Sequence, residues 1–144
     1  GALMHVVAQL RQFLDDGAAR PELAKGRALL ATALADVEDM VAAMTTFLMD
    51  SQQHPRELYR LGLQSVPFLL AVGDLLLGWL LLQQAEIALI AMDGDVGERD
   101  RNFYTGKVAA ALFFAKNVLP RLTSQSAILR AVDLTAMELP EGGF

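Results

Sequence analysis

VPFLLAVGDLLLGWLLL, residues 66–82, decides the fold. It is apolar almost throughout, with one carboxylate, Asp74, near its centre. Two readings compete. A membrane-spanning helix needs about 20 apolar residues. This run is shorter, Gln83, Gln84 and Glu86 follow at once, and Asp74 at mid-span would cost roughly 2.5–3.5 kcal/mol on insertion scales. A buried helix of a helical bundle meets no such objection, so no membrane span is expected. The run is apolar nearly all round, the mark of a helix contacted from several sides. Gly73 and Gly78 are small enough to admit a neighbouring helix. Pro67 removes a backbone donor and crowds the preceding turn, which predicts a kink or break near Val66.

Outward from this stretch the chain is a series of amphipathic segments. Residues 3–15 form a first helix, with Leu3, Val6, Val7, Leu10, Phe13 and Leu14 on one face and Gly17 as its stop. Pro21 and Glu22 open a second that runs to about Ser51. Its seam is Leu30, Leu34, Val37, Val41, Met44 and Leu48, widened by Ala33, Met40 and Phe47. Pro55 opens the third, which reaches about Met92. The loop DGDVG, residues 93–97, starts like a calcium loop. Its sixth and twelfth places hold Glu98 and Tyr104 instead of the required glycine and acid, so it is a solvated turn. A fourth helix covers Glu98 to about Leu119, its small residues facing the central helix, and Pro120 ends it. A fifth runs from about Arg121 to Met137, and the tail LPEGGF is irregular. The expected fold is all-α: an antiparallel up-down bundle of four to five helices, one domain over residues 1–144, the central helix kinked at Pro67.

Composition narrows the function. Hydrophobic residues make up 53% of the 144, which suits a domain with much buried surface or one with a face meant for another subunit. Net charge is -5 with no basic patch, so nucleic acid and anionic lipid are poor partners. Without cysteine there is no disulfide, thiol nucleophile or cysteine metal site, which fits a cytoplasmic protein. Residues 1–14 lack the pattern of a secretory leader, and a start at Gly1 rather than Met reads as a cloning remnant or a cut, the latter making this a piece of a longer protein. His5 and His54 stand apart, outside any Glu-x-x-His motif, so neither a di-iron nor a zinc site is expected. There is no glycine-rich phosphate loop and no G-x-S-x-G elbow. No catalytic, cofactor-binding or metal-binding residue is assigned.

Asp74 remains. A carboxylate in an apolar helix either titrates abnormally or has a partner. A partner between helices is the expected answer. Lys107 and Tyr104, three apart on the fourth helix, are the first candidates, with Arg27 and Arg60 in reserve. An Asp74–Lys107 pair would fix the register of helices three and four.

The fourth helix also carries a family likeness. DRNFYTGKVAAALFFAKNVLP, residues 100–120, resembles the closing segment of the acyl-CoA dehydrogenase C-terminal-like domain. The likeness rests on Asp100, Arg101, Phe103, Tyr104, Gly106, Lys107, Phe113, Phe114, Ala115, Leu119 and Pro120. GDLLLGWLLLQQAEIA, residues 73–88, is similar to an upstream helix of that family. The resemblance implies an extra helical module at the end of a long subgroup of FAD-dependent acyl-CoA dehydrogenases. The dehydrogenase body, outside this segment, would carry FAD, the acyl-CoA pocket and the glutamate that removes the α proton, with hydride passing from the β carbon to the flavin. The subgroup includes enzymes similar to those acting on 3-methylthiopropionyl-CoA and on fatty or aromatic acyl-CoAs. The module itself would be non-catalytic, packing on that body and on a second subunit of a homo-oligomer. Two other readings stand beside it: a stand-alone bundle binding an apolar ligand near Met40, Met44, Phe68 and Trp79, and a dimerisation module.

Overall fold

The computed structural model describes residues 1–16 and 20–143. Within them the chain is helical and forms no strand. Five helices follow in order: α1 (Ala2–Asp15), α2 (Ala24–Asp50), α3 (Leu58–Met92), α4 (Glu98–Asn117) and α5 (Arg121–Ala131). The stop expected at Gly17 lies outside the described residues. Pro21 and Pro55 each open a short 3-10 turn that leads into the next helix. Their missing N–H groups would lack helical partners at those positions in any case. Gly97, extended at φ -65° and ψ 162°, breaks the chain before α4. Glu98 and Asp100 then occupy the positive end of that helix. The fifth helix is shorter than its pattern predicts. It stops at Ala131, and the chain continues as 3-10 turns at Thr135–Glu138 and Glu141–Gly143.

Neighbours run antiparallel. Gly26 meets Leu82, Arg27 meets Glu86 and Arg60 meets Phe47, so α2 and α3 pass in opposite directions. Gly78 meets Leu119 and Gln84 meets Lys107, which does the same for α3 and α4. The α3–α4 interface is the most extensive in the molecule, as the small face of α4 predicts, and Ala111 and Ala115 are buried in it. Helix α5 lies on α2, and α1 touches mainly α2. Leu10, Leu30, Val37, Leu75, Leu82 and Leu122 lie at the centre of one continuous core.

Three expectations change. The α2 seam holds through Val37, but Leu48 is exposed and Phe47 takes its place in the core. A strict three-four repeat drifts about 20° per heptad on a straight helix, and from Leu30 to Leu48 that amounts to about 50°. Of the kink or break expected at Pro67, the break does not occur: α3 runs 35 residues without interruption. The proline and Leu63, whose carbonyl loses its donor, lie on the exposed side. Water can satisfy that carbonyl there, and long helices bend convex toward solvent. Finally, α3 is buried on one face only. Ala71, Leu75, Gly78, Leu82 and Ala85 face the core, while Val66, Leu69, Leu70, Leu77, Leu80 and Ile87 are exposed.

The glycines separate close approach from open space. A Cβ on Gly26 would sit 2.9 Å from Leu82 Cδ2 and 3.1 Å from Leu112 Cδ2, and one on Gly78 would sit 3.0 Å from Leu119 Cδ2. One on Gly73 would meet nothing within 4 Å. Gly78 admits its neighbour as expected, and Gly73 has none. In this chain Gly26→Val should therefore lower stability by about 1–3 kcal/mol through overpacking. Gly73→Ala should raise it by about 0.5–1 kcal/mol, because only helix propensity changes. Urea unfolding of the two variants measures both signs.

Candidate functional site

The expected Asp74–Lys107 pair does not form. Lys107 donates to Gln84 Oε1 at 3.3 Å and lies 5.4 Å from the centre of the Phe103 ring. Gln84 is ten residues beyond Asp74, about 15 Å farther along the helix. Tyr104 packs edge-on against Phe103 and lines the same groove as Lys107, so it too sits at the level of Gln84 and not of Asp74. Among the described residues Asp74 makes no ion pair or hydrogen bond. The physical reason is axial register. The approach of Leu119 to Gly78 sets how far α4 slides along α3, and that setting carries Lys107 past Asp74.

The polar pin between helices is Arg27, one of the reserve candidates. Its guanidinium, 10% exposed, donates to the Phe13 carbonyl and, at 3.3 Å, to the Leu14 carbonyl. These are last-turn carbonyls of α1, which have no helical donor of their own. The same group stacks over the Phe13 ring at 4.3 Å and stands 4.0 Å from Glu86 on α3. One side chain thus joins α1, α2 and α3. Arg60, the other reserve candidate, also turns away from Asp74: it lies 3.2 Å from Glu57 and reaches across to α2, 5.6 Å from the Phe47 ring centre.

Other polar contacts tie the ends together. Arg20 donates to both carboxylate oxygens of Asp93, joining the start of α2 to the end of α3. That hydrogen bond holds the Asp93 carboxyl below the usual carboxylate range. A backbone N–H from Thr135 acts on Asp133 in the same direction. Arg11 pairs with Glu38 at 2.5 Å, Thr123 donates to Asp36 at 2.6 Å, and Arg56 pairs with Glu138 at 3.3 Å.

The concavities are shallow and lie on the surface. One of about 300 Å³ between α1 and α2 is lined by Leu3, Met4, Val7, Val37 and Val41, and its cation Arg11 is taken by Glu38. One of about 220 Å³ between α3 and α4 is lined by Gln84, Ile87, Ala88, Phe103, Tyr104 and Lys107. One of about 350 Å³ lies at His54, Arg56 and Glu138. None of these three is lined by Met40, Met44, Phe68 or Trp79: Met40 is buried, and the other three pack against the core. The residues present do not suit a flavin dinucleotide either. Each of these grooves offers at most one or two cations, Arg11 and Arg56 are neutralised by neighbouring acids, and the turn DGDVG that meets the start of α4 carries two carboxylates of its own, which would repel a pyrophosphate. Among the described residues no group of His, Asp and Glu could hold a metal ion.

What the surface does offer is apolar area. The outer face of α3 exposes Val66, Leu70, Leu77 and Leu80, and α4 adds Phe103 and Phe113. Ile87 and Phe103 share the groove between the two helices, so the two faces join. By length and composition α3 could cross a membrane, yet it also forms the main wall of the core.

A family model described as "Acetyl-CoA dehydrogenase C-terminal like" matches residues 6–140. The chain belongs to that family. The broad-specificity linear acyl-CoA dehydrogenase FadE5 of Mycobacterium tuberculosis (strain ATCC 25618 / H37Rv) is 50% identical over 143 residues, 99% of this chain and 23% of that protein. A butyryl-CoA dehydrogenase of Syntrophomonas wolfei subsp. wolfei (strain DSM 2245B / Goettingen) is 30% identical over 124 residues, 84% of this chain and 19% of that protein. The acyl-CoA dehydrogenase C-terminal domain described here thus spans under a quarter of the length of these relatives.

Two predictions follow from the domain's polar contacts. Arg27→Met should cost about 1.5–3 kcal/mol, because charge-assisted bonds to part-buried carbonyls are lost. Glu86→Gln should cost under about 1 kcal/mol, since that pair is long and its carboxylate is 29% exposed. Chemical unfolding of the two variants ranks them. Acid tests Asp93. A carboxyl held low in the folded state stabilises above the ordinary carboxylate pKa, about 3.9, and that contribution disappears as the pH falls through the folded value. Arg20→Gln should therefore shrink the loss of stability below about pH 4 and leave its pH dependence above about pH 5 unchanged. Urea midpoints from pH 6 downward read this directly.

Proposed function

We propose that this domain is the non-catalytic C-terminal helical module of an FAD-dependent acyl-CoA dehydrogenase. The parent enzyme carries out α,β-dehydrogenation of an acyl-CoA thioester in the cytoplasm, with FAD held by the rest of the chain. The module packs on the catalytic body and against a second subunit of a homo-oligomer. One observation carries this reading: the family match runs nearly end to end here while covering 23% and 19% of two dehydrogenase relatives. The side chains agree with it. Among the described residues Asp74 has no polar partner, and Lys107, Arg27 and Glu86 are engaged in holding helices together. The charged groups that line the three grooves are engaged with one another or with a neighbouring amide: Arg11 with Glu38, Arg56 with Glu138 and Lys107 with Gln84.

The apolar outer face of α3 and α4 supplies the surface such packing needs. FadE5 is named for linear acyl-CoAs, so these are the first substrates to try on the parent enzyme. The complete chain should purify with flavin absorbance and reduce an electron-accepting dye with a linear acyl-CoA. This 144-residue chain, shown helical by circular dichroism, should do neither. Flavin bound to it at equal stoichiometry would contradict the proposal.

A further inference from the structure

The outer face of α3 carries a pattern that nothing inside the bundle explains. From Leu63, the residues Val66, Leu70, Gly73, Leu77 and Leu80 follow at alternating spacings of three and four, and all are exposed. That is the seam one helix presents to another lying along it. Gly73 stands at mid-seam. A helix-interior glycine needs a reason. Gly78 has one in Leu119, whereas a Cβ on Gly73 would touch nothing within 4 Å. An outside helix crossing closely at that point supplies the missing reason.

Asp74 narrows the identity of that helix. It sits half-buried at the edge of the seam, unpaired among the described residues, and residues 61–92 contain neither Lys nor Arg. A second copy laid antiparallel on the seam would bring two Asp74 carboxylates together, and the one cation of α3, Arg60, is fourteen residues away and paired with Glu57. A bilayer would have to take up the same unpaired charge. A helix from elsewhere in the parent chain can bring its own cation. Relatives of which this domain is 23% and 19% hold most of their length outside it. We infer that the α3 seam docks an α-helix of the remainder of the parent chain, crossing at Gly73 with a Lys or Arg opposite Asp74. This rests on the reading of the domain as part of a longer dehydrogenase.

The test uses the complete enzyme with Leu77→Cys, labelled by maleimide and followed by peptide mass spectrometry. In the native enzyme this position should label at least tenfold more slowly than in urea. Adding Gly73→Leu or Asp74→Lys should restore fast labelling with helix content unchanged. A photo-crosslinker attached at the same cysteine should capture a helix of the remainder of the chain. Native labelling at the urea rate, crosslinks to α3 of a second copy, or protection that requires phosphatidylcholine vesicles would each overturn the inference. A complete chain without flavin or acyl-CoA oxidation would sink the reading of the parent instead. An active enzyme with an open seam would leave that reading standing.

Discussion

The bundle turns on a close approach at Gly26. Leu82 from α3 and Leu112 from α4 converge on the missing side chain, with Ala115 behind them. Three helices can meet there because α2 offers only backbone. The next residue, Arg27, is placed by that contact. It reaches back to the end of α1 and across to Glu86, so a steric fact fixes where the main polar pin can act. Its hydrogen bonds go to carbonyls of α1, while the contact with Glu86 is long and part-exposed, so direction rather than charge pairing is what the guanidinium supplies. What it fixes is the axial position of α1 and α3 along α2.

The same geometry leaves α3 half covered. Helices α2, α4 and α5 occupy one side of it, and α3 outlasts α4 by fifteen residues. The surplus of apolar side chains implied by a 53% hydrophobic composition has nowhere else to go. It collects on the outer face, where a solitary soluble domain rarely keeps so much. A chain that covers under a quarter of its relatives has an evident use for such a face.

Much of this was legible beforehand, and the reasons differ by element. Prolines at 21, 55 and 120 and the turn DGDVG mark helix boundaries through backbone chemistry alone, and the structure follows them. The faces of α1 and most of α2 were legible too, because the helical period is local, whereas α3, apolar nearly all round, gave no sign of which side the bundle would cover. Register was not legible. Periodicity puts Lys107 and Asp74 on plausible faces but says nothing of sliding along the axis, which the Leu119–Gly78 contact decides. Leu48 was misplaced for a related reason: a small angular drift accumulates along a long helix. Arg27 stood only in reserve because its partners are mainly carbonyls, and a carbonyl leaves no trace in residue identity.

The central claim is that one face of α3 holds this domain together while the other joins it to the rest of a dehydrogenase. The direct measurement is a cryo-electron microscopy reconstruction of the complete enzyme with α3 resolved to its side chains. The account predicts Val66, Leu70 and Leu77 buried beneath a helix of the catalytic body, with that helix nearest α3 at Gly73. Finding those side chains in solvent, or against the α3 of another copy, would contradict it.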